Sequence, residues 1–371
     1  MEKVLIVGTG DVGAHLLEFM ARQEQRYEVI VGDIDEEKAR LLCNNAEIGA
    51  AHHGKHPVFR PVKIDLFDIE GTSAFIAKEK PSVIINMTVM HTWHLIRQLP
   101  HDLYSKISSG ALGAWLPCQL TLAMKLAQAL KDSGVKAHYI NTSLSCLTNP
   151  VLGKIGLAPT IGIGNVDLVE PAVRTYIAQQ AGVARGRVEL LMVCHHQHWV
   201  YPREAGYLPN APYLLKIMID KKDVTSEWDT DKAMYDGVKL YPEGIQFTTV
   251  SASSILKNLN AILFDENLLT HSPGPNGLPG GYPVILSAQG ARVFLPEEWT
   301  LQQAIEVNTR AGQLDAIEEI KEDGTVVFAD YTYEAMKEGL GFECRSFHPD
   351  DSEKLAWEQI ALFKELMKKY S

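Results

Sequence analysis

An α/β fold built on a doubly wound parallel sheet, followed by a C-terminal α+β domain, is what this sequence predicts. Three observations carry it. Apolar strand-like runs alternate with helical patterns through the first half of the chain. The first run ends in a glycine-rich turn that opens a helix. The fourth run, Pro81 to Met87, is nearly all apolar, as a strand covered on both faces should be. At 371 residues the chain exceeds one ordinary core, so two domains are expected, 1–165 and 166–371.

The elements follow in order. "KVLIV" (Lys3 to Val7) reads as a buried strand. Gly8, Gly10 and Gly13 come next in the spacing G-x-G-x-x-G, with Asp11 and Val12 between them. Leu16, Leu17, Phe19 and Met20 then mark an amphipathic helix. Gly8 permits a tight turn, Gly10 permits close approach to a pyrophosphate, and Gly13 permits close packing of helix on strand. The helix start presents free N–H groups to the phosphates. "YEVIVGD" ends at Asp33, where an acid hydrogen-bonds a ribose 2′-hydroxyl and repels a 2′-phosphate. The expected arrangement is therefore a Rossmann sheet, with NAD preferred over NADP. A third strand, Pro61 to Leu66, places Asp65 on the adenine side, and a fourth spans Pro81 to Met87. A helix from Leu116 to Lys131 leads to a fifth, Lys136 to Leu144. Ligands bind such sheets at the C-terminal strand ends, so Asn86, Met87 and Asn141 are expected to line the cofactor cleft. The long connection after Met87 carries His94 and reads either as a substrate loop or as a packed helix.

In the second half, Thr160 to Ile163 reads as a strand ending in Gly164-Asn165, and a helix runs from Val166 to a stop at Gly182. "RVELLMVCHHQHWV" then reads as a strand. Alternation along it puts His196 and His198 on one face and His195 on the other. An imidazole there can exchange the proton that accompanies hydride transfer, because it titrates near neutral pH. Histidines two apart can instead share a metal ion with a third ligand such as His94 or Asp167. Packing is the third option. Asn165 is a substrate contact or a helix cap. Asp167 polarises His196 or serves the first helical turn. His271 to Val284 reads as an ordered loop, and Asp351 to Lys369 as a packing helix.

With "IGIGN" before the helix and "HHQHW" at the strand end, the chain resembles the superfamily of lactate/malate dehydrogenases and NAD-dependent family 4 glycosidases. "KPSVIIN" resembles saccharopine-dehydrogenase-type reductases. The resemblance implies that His196 holds the position of the functional histidine and that Trp199 holds the glycosidase tryptophan. It also implies a homo-oligomer, dimer or tetramer. The pattern departs at three points. Gly164 stands where the glycosidases place a metal-binding cysteine, so no metal is expected. Asp167 falls one position early for the dehydrogenase acid, and Glu170 replaces the arginine that grips a 2-keto acid.

Together these readings give an NAD-dependent oxidoreductase that moves a hydride to or from a small polar hydroxyl compound. His196, His198 and Asp167 are its catalytic candidates, and His94, Asn165 and His195 its substrate contacts. The alternatives are a redox-assisted glycosidase or lyase with transient NAD reduction, and a saccharopine-type amino-acid dehydrogenase. The net charge of −11, with no basic block, argues against nucleic-acid binding. No apolar run is long enough to span a bilayer. Five scattered cysteines without CxxC spacing suggest reduced thiols in a cytoplasmic protein.

Overall fold

The computed structural model describes residues 2–24, 26–242 and 247–370. Its central sheet has six parallel strands: β1 (Lys3–Val7), β2 (Glu28–Asp33), β3 (Phe59–Lys63), β4 (Val83–Asn86), β5 (His138–Asn141) and β6 (Ile161–Gly162). Their spatial order is β3-β2-β1-β4-β5-β6, the doubly wound order the sequence pattern calls for. Helices α1 (Asp11–Ala21), α2 (Glu36–Ala51) and α3 (Ile69–Glu79) make the first crossovers. α4 (His101–Ser108) and α5 (Leu116–Ser133) join β4 to β5, and α6 (Ser145–Lys154) joins β5 to β6.

The strands are apolar on both sides because both sides are covered. Leu5, Val7, Ile30 and Ile84 pack in one core with Leu120 and Leu126 of α5. Val4, Ile6, Val31 and Ile85 pack in another with Leu16 and Leu17 of α1. Each such side chain contributes about 1.5–3 kcal/mol when fully buried. β3 begins and ends earlier than the Pro61–Leu66 reading. Asp65 has already left the ladder, its Oδ1 accepting the Phe67 N–H at 2.9 Å, and Asp68 caps α3 by accepting the Gly71 N–H.

After β6 come α7 (Val166–Ala181), β7 (Val188–Val193), α8 (Gln197–Glu204), β8 (Leu214–Ile219) and β9 (Lys222–Asp223). α9 (Thr230–Val238), α10 (Thr248–Leu263), β10 (Leu268–Pro273), β11 (Gly281–Ser287), β12 (Gly290–Val293) and α11 (Leu301–Gly312) follow. The chain closes with β13 (Ile317–Ile320), β14 (Val326–Phe328), α12 (Asp330–Leu340), β15 (Ser346–Phe347) and α13 (Ser352–Tyr370). Consecutive strands β7 to β15 form three antiparallel three-stranded sheets. The segment read as a loop, His271 to Val284, is largely a hairpin, with His271 opposite Pro283. Only its middle, with a 3-10 turn at Pro275–Gly277, lies outside strands.

The last segment returns to the first. Phe328, Leu340 and Phe363 share one buried cluster with Leu5 and Trp115. Among the described residues, no helix is long and apolar enough to cross a membrane.

Candidate functional site

The first part of the site is an open cleft at the end of β1. It is lined by Gly8, Thr9, Gly10, Asp33, Ile34, Asp65, Met87 and Thr88, among others. The three glycines have separate steric reasons. A Cβ on Gly8, where φ is +102°, would lie 2.7 Å from Met87 O. One on Gly13 would lie 2.9 Å from Gly8 O, so α1 could not sit so close to the turn. Gly10 faces open space, with no atom within 4 Å of that position, which is the room a pyrophosphate needs. Asp11 follows in the first turn of α1, and Val12 packs into the core beneath it. Asp33 Oδ2 accepts the Thr9 N–H at 2.8 Å and the Thr9 hydroxyl at 2.6 Å, while Oδ1 accepts the Asp35 N–H. Burial alone would raise the Asp33 carboxyl. The Thr9 and Asp35 hydrogen bonds and nearby Lys38 hold it below the usual range.

The second part is buried. β7 stops at Val193, Cys194 bridges Gly281, and α8 begins with His196 as its N-cap residue. The alternation expected along a strand therefore does not operate. His195 and His196 turn to the same carboxylate: His196 Nε2 lies 3.0 Å from Asp315 Oδ1, and His195 Nε2 lies 3.5 Å from Oδ2. Gln197 Nε2 also donates to Asp315. His195, His196 and Asp315 are 1 %, 2 % and 0 % exposed. Burial lowers the His196 pKa, but the Asp315 charge and hydrogen bond outweigh it and push the ring up to about 10. His195 moves well below its ordinary value, through burial and then the neighbouring His196. The sequence-based expectation of a near-neutral His196 is thus displaced upward by a carboxylate from another part of the chain.

Cys146 completes this group. It lies at the start of α6, just beyond β5, and Asn165 Nδ2, beyond β6, donates to its Sγ at 3.0 Å. Hence the cluster sits at the C-terminal ends of β5 and β6. The surrounding backbone is unusual. Leu144, Asn165 and Ala316 have φ of +43°, +54° and +62°, beside Cys146, α7 and Asp315 respectively. Such conformations cost about 1–3 kcal/mol each and persist where surrounding contacts impose them. Gly113 is required nearby, because a Cβ there would meet Asp315 O at 2.0 Å.

The other candidates lie elsewhere. Asp167 does not reach His196; it is held by Lys257, Ser254 and Asn258 of α10. His198 points away from His196, its Nδ1 3.1 Å from His195 O, its Nε2 3.3 Å from Ala211 O, and its ring edge-on to Tyr213. It cannot share an ion with His196 in this arrangement. Asn86 and Asn141 do not line the cleft. Both are fully buried, with Asn86 Nδ2 donating to Asn141 Oδ1 at 2.9 Å and Asn141 bonded to Thr148 and Asn149. Met87 and Thr88 line it instead. Asn165 has no side-chain capping bond and serves Cys146. His94 is exposed on the 3-10 helix Trp93–Gln98, within electrostatic reach of Asp11. Thr9, Cys146 and Asp315 escaped the sequence reading. Thr9 lay inside the glycine motif, whereas no local pattern marks the other two.

No protein-family model matches the chain, and no curated protein matches it in sequence. Solved structures do share its fold. A lactate dehydrogenase from a Medee basin deep-sea metagenome library superposes with a TM-score of 0.56 at 15% identity, covering 84% of this chain and 96% of that one. The lactate dehydrogenase of Cryptosporidium parvum, complexed with lactic acid and nicotinamide adenine dinucleotide, gives 0.56 at 17% identity, covering 85% and 98%. Malate dehydrogenase from Plasmodium falciparum with NADH gives 0.56 at 13% identity, covering 91% and 99%. At such identities the likeness establishes the fold.

Proposed function

We propose that the chain is an NAD(H)-dependent oxidoreductase that exchanges a hydride with a small, polar, hydroxyl-bearing substrate. One observation carries the reading: an open glycine cleft with Asp33 and a buried histidine–carboxylate group occur together at the C-terminal ends of one doubly wound sheet. Residues 1–165 would hold the cofactor. Residues 166–371 would supply most of the substrate side. His196 is the side chain assigned to the substrate's oxygen and its proton, with Asp315 orienting the ring. Neighbours of the same fold support this, since their solved complexes hold lactic acid with the dinucleotide, or NADH.

The test is direct. NADH and NADPH are titrated into the purified protein, and hydroxy acids and polyols are screened for NADH formation. We expect NADH to bind more tightly and at least one hydroxyl compound to reduce NAD. His196→Asn should lower that turnover about a hundredfold while leaving NADH affinity unchanged. Substrate consumption without net NADH would instead favour the redox-assisted glycosidase or lyase reading. Failure to bind either cofactor would overturn the proposal.

A further inference from the structure

We propose that Cys146, His195 and His196 form a site for one zinc-class divalent metal ion, with Asp315 as the carboxylate behind the histidines. A ring nitrogen of each histidine and Cys146 Sγ all lie within 4.8 Å of one another. An ideal tetrahedral zinc site places such donors about 3.3–3.6 Å apart, so an adjustment of about 1 Å closes the set. The donors come from two elements that packing fixes: the start of α6 and the β7–α8 turn.

A second observation is independent of that spacing. His195 Nδ1 and His196 Nδ1 are buried with no hydrogen-bond partner. Buried polar atoms are ordinarily satisfied, so two orphaned ring nitrogens in one cluster call for a ligand. His196 Nε2 is hydrogen-bonded to Asp315 Oδ1, which gives His196 the form of a metal ligand whose far nitrogen is braced by a carboxylate, while His195 Nε2 faces Asp315 Oδ2 at 3.5 Å without a hydrogen bond. Charge agrees. A thiolate and a carboxylate cancel a dication, which lets the whole group stay buried without uncompensated charge. A thiolate with two imidazoles selects zinc or a similar transition ion over magnesium or calcium. Three protein donors leave a fourth position for an oxygen ligand, as catalytic rather than structural zinc sites do.

The expectation that Gly164 removes the metal rested on sequence position. Cys146 brings a thiol from a different element. The inference rests on the hydride-transfer reading for its substrate: a bound ion would polarise the substrate hydroxyl in place of the His196 ring, whose two nitrogens would then be committed to the ion and to Asp315.

The test uses the full-length protein. Elemental analysis after expression with added zinc should find one ion per chain. Cobalt(II) titrated into chelator-washed protein should give a thiolate charge-transfer absorption in the near ultraviolet. Cys146→Ser should abolish that band, and His195→Asn should weaken ion binding more than about tenfold. Should Cys146→Ser not fold, the cobalt spectrum of the parent protein and the His195→Asn titration decide alone. No ion in the parent protein under zinc and cobalt titration, or undiminished binding in both variants, would overturn the site. NADH titration separates the two readings. An ion without NADH binding sinks the hydride reading, and NADH binding without an ion sinks this one.

Discussion

The nucleotide cleft and the buried histidine cluster lie at the same end of one sheet and are built in opposite ways. In the cleft the hydrogen bonds that fix Asp33 are local, with Thr9 and Asp33 24 residues apart, and the longer reach is to Met87 beyond β4, against which Gly8 packs. Its steric demands are met by missing atoms, at Gly8, Gly10 and Gly13. In the cluster, His196 and Asp315 lie 119 residues apart, and the demands are met by side chains forced together in a dry interior with strained backbone beside them. One region stays open for a ligand to complete it. The other is already dense with charge and unsatisfied nitrogen. A site made from local backbone can be recognised by spacing, whereas a site made from long-range packing cannot.

The largest effect should come from filling the cleft. Gly8→Val places atoms against Met87 O at a φ that branched residues avoid. NADH affinity should fall more than about a hundredfold, near 3 kcal/mol, in a fluorescence titration. Full binding would show that the turn is not the cofactor cradle. In the cluster, Asp315→Asn should cost about 2 kcal/mol of stability, because buried hydrogen bonds to a charged group are lost. NADH affinity should stay near the parent value. Denaturant unfolding and a cofactor titration on the same protein would expose any coupling that contradicts the division.

His271 separates burial from chemistry. Its Nε2 accepts the Met192 N–H at 3.1 Å, and burial, then Lys257 and Arg174, lower its pKa to about 3. The unfolded value is about 6.5. The unfolded chain therefore takes up a proton that the folded chain refuses, so this contribution is complete above pH 6.5 and is lost as pH falls toward 3. Stability should decline by about 1.4 kcal/mol per pH unit within that window. His271→Gln should flatten the slope in melts between pH 7 and 5, and an unchanged slope would move the effect to other groups. The smallest change is expected at Asp33. Asp33→Asn should narrow the preference for NADH over NADPH by about tenfold, or 1.4 kcal/mol, as paired titrations would reveal. An unaltered ratio would leave Asp33 with only its hydrogen bonds to Thr9 and Asp35.

Much of the molecule was written locally. Strand–helix alternation, the glycine turn and the end of β2 at Asp33 follow from side-chain period and backbone sterics, which act over a few residues. The sheet order and the cleft came with them. The tertiary structure decided the rest. Nothing in "VCHHQHW" announces that the strand ends at Val193, because the turn is set by the Cys194 bridge to Gly281 and by the Trp199 and Val200 N–H groups bonding to His196 O. Nor can the local sequence choose between carboxylates. Asp167 is near in sequence to the expected position but is claimed by Lys257 and Ser254, while Asp315 is delivered from beyond α11. Which acid meets which histidine depends on how separate elements pack, and packing acts between residues that no periodicity connects.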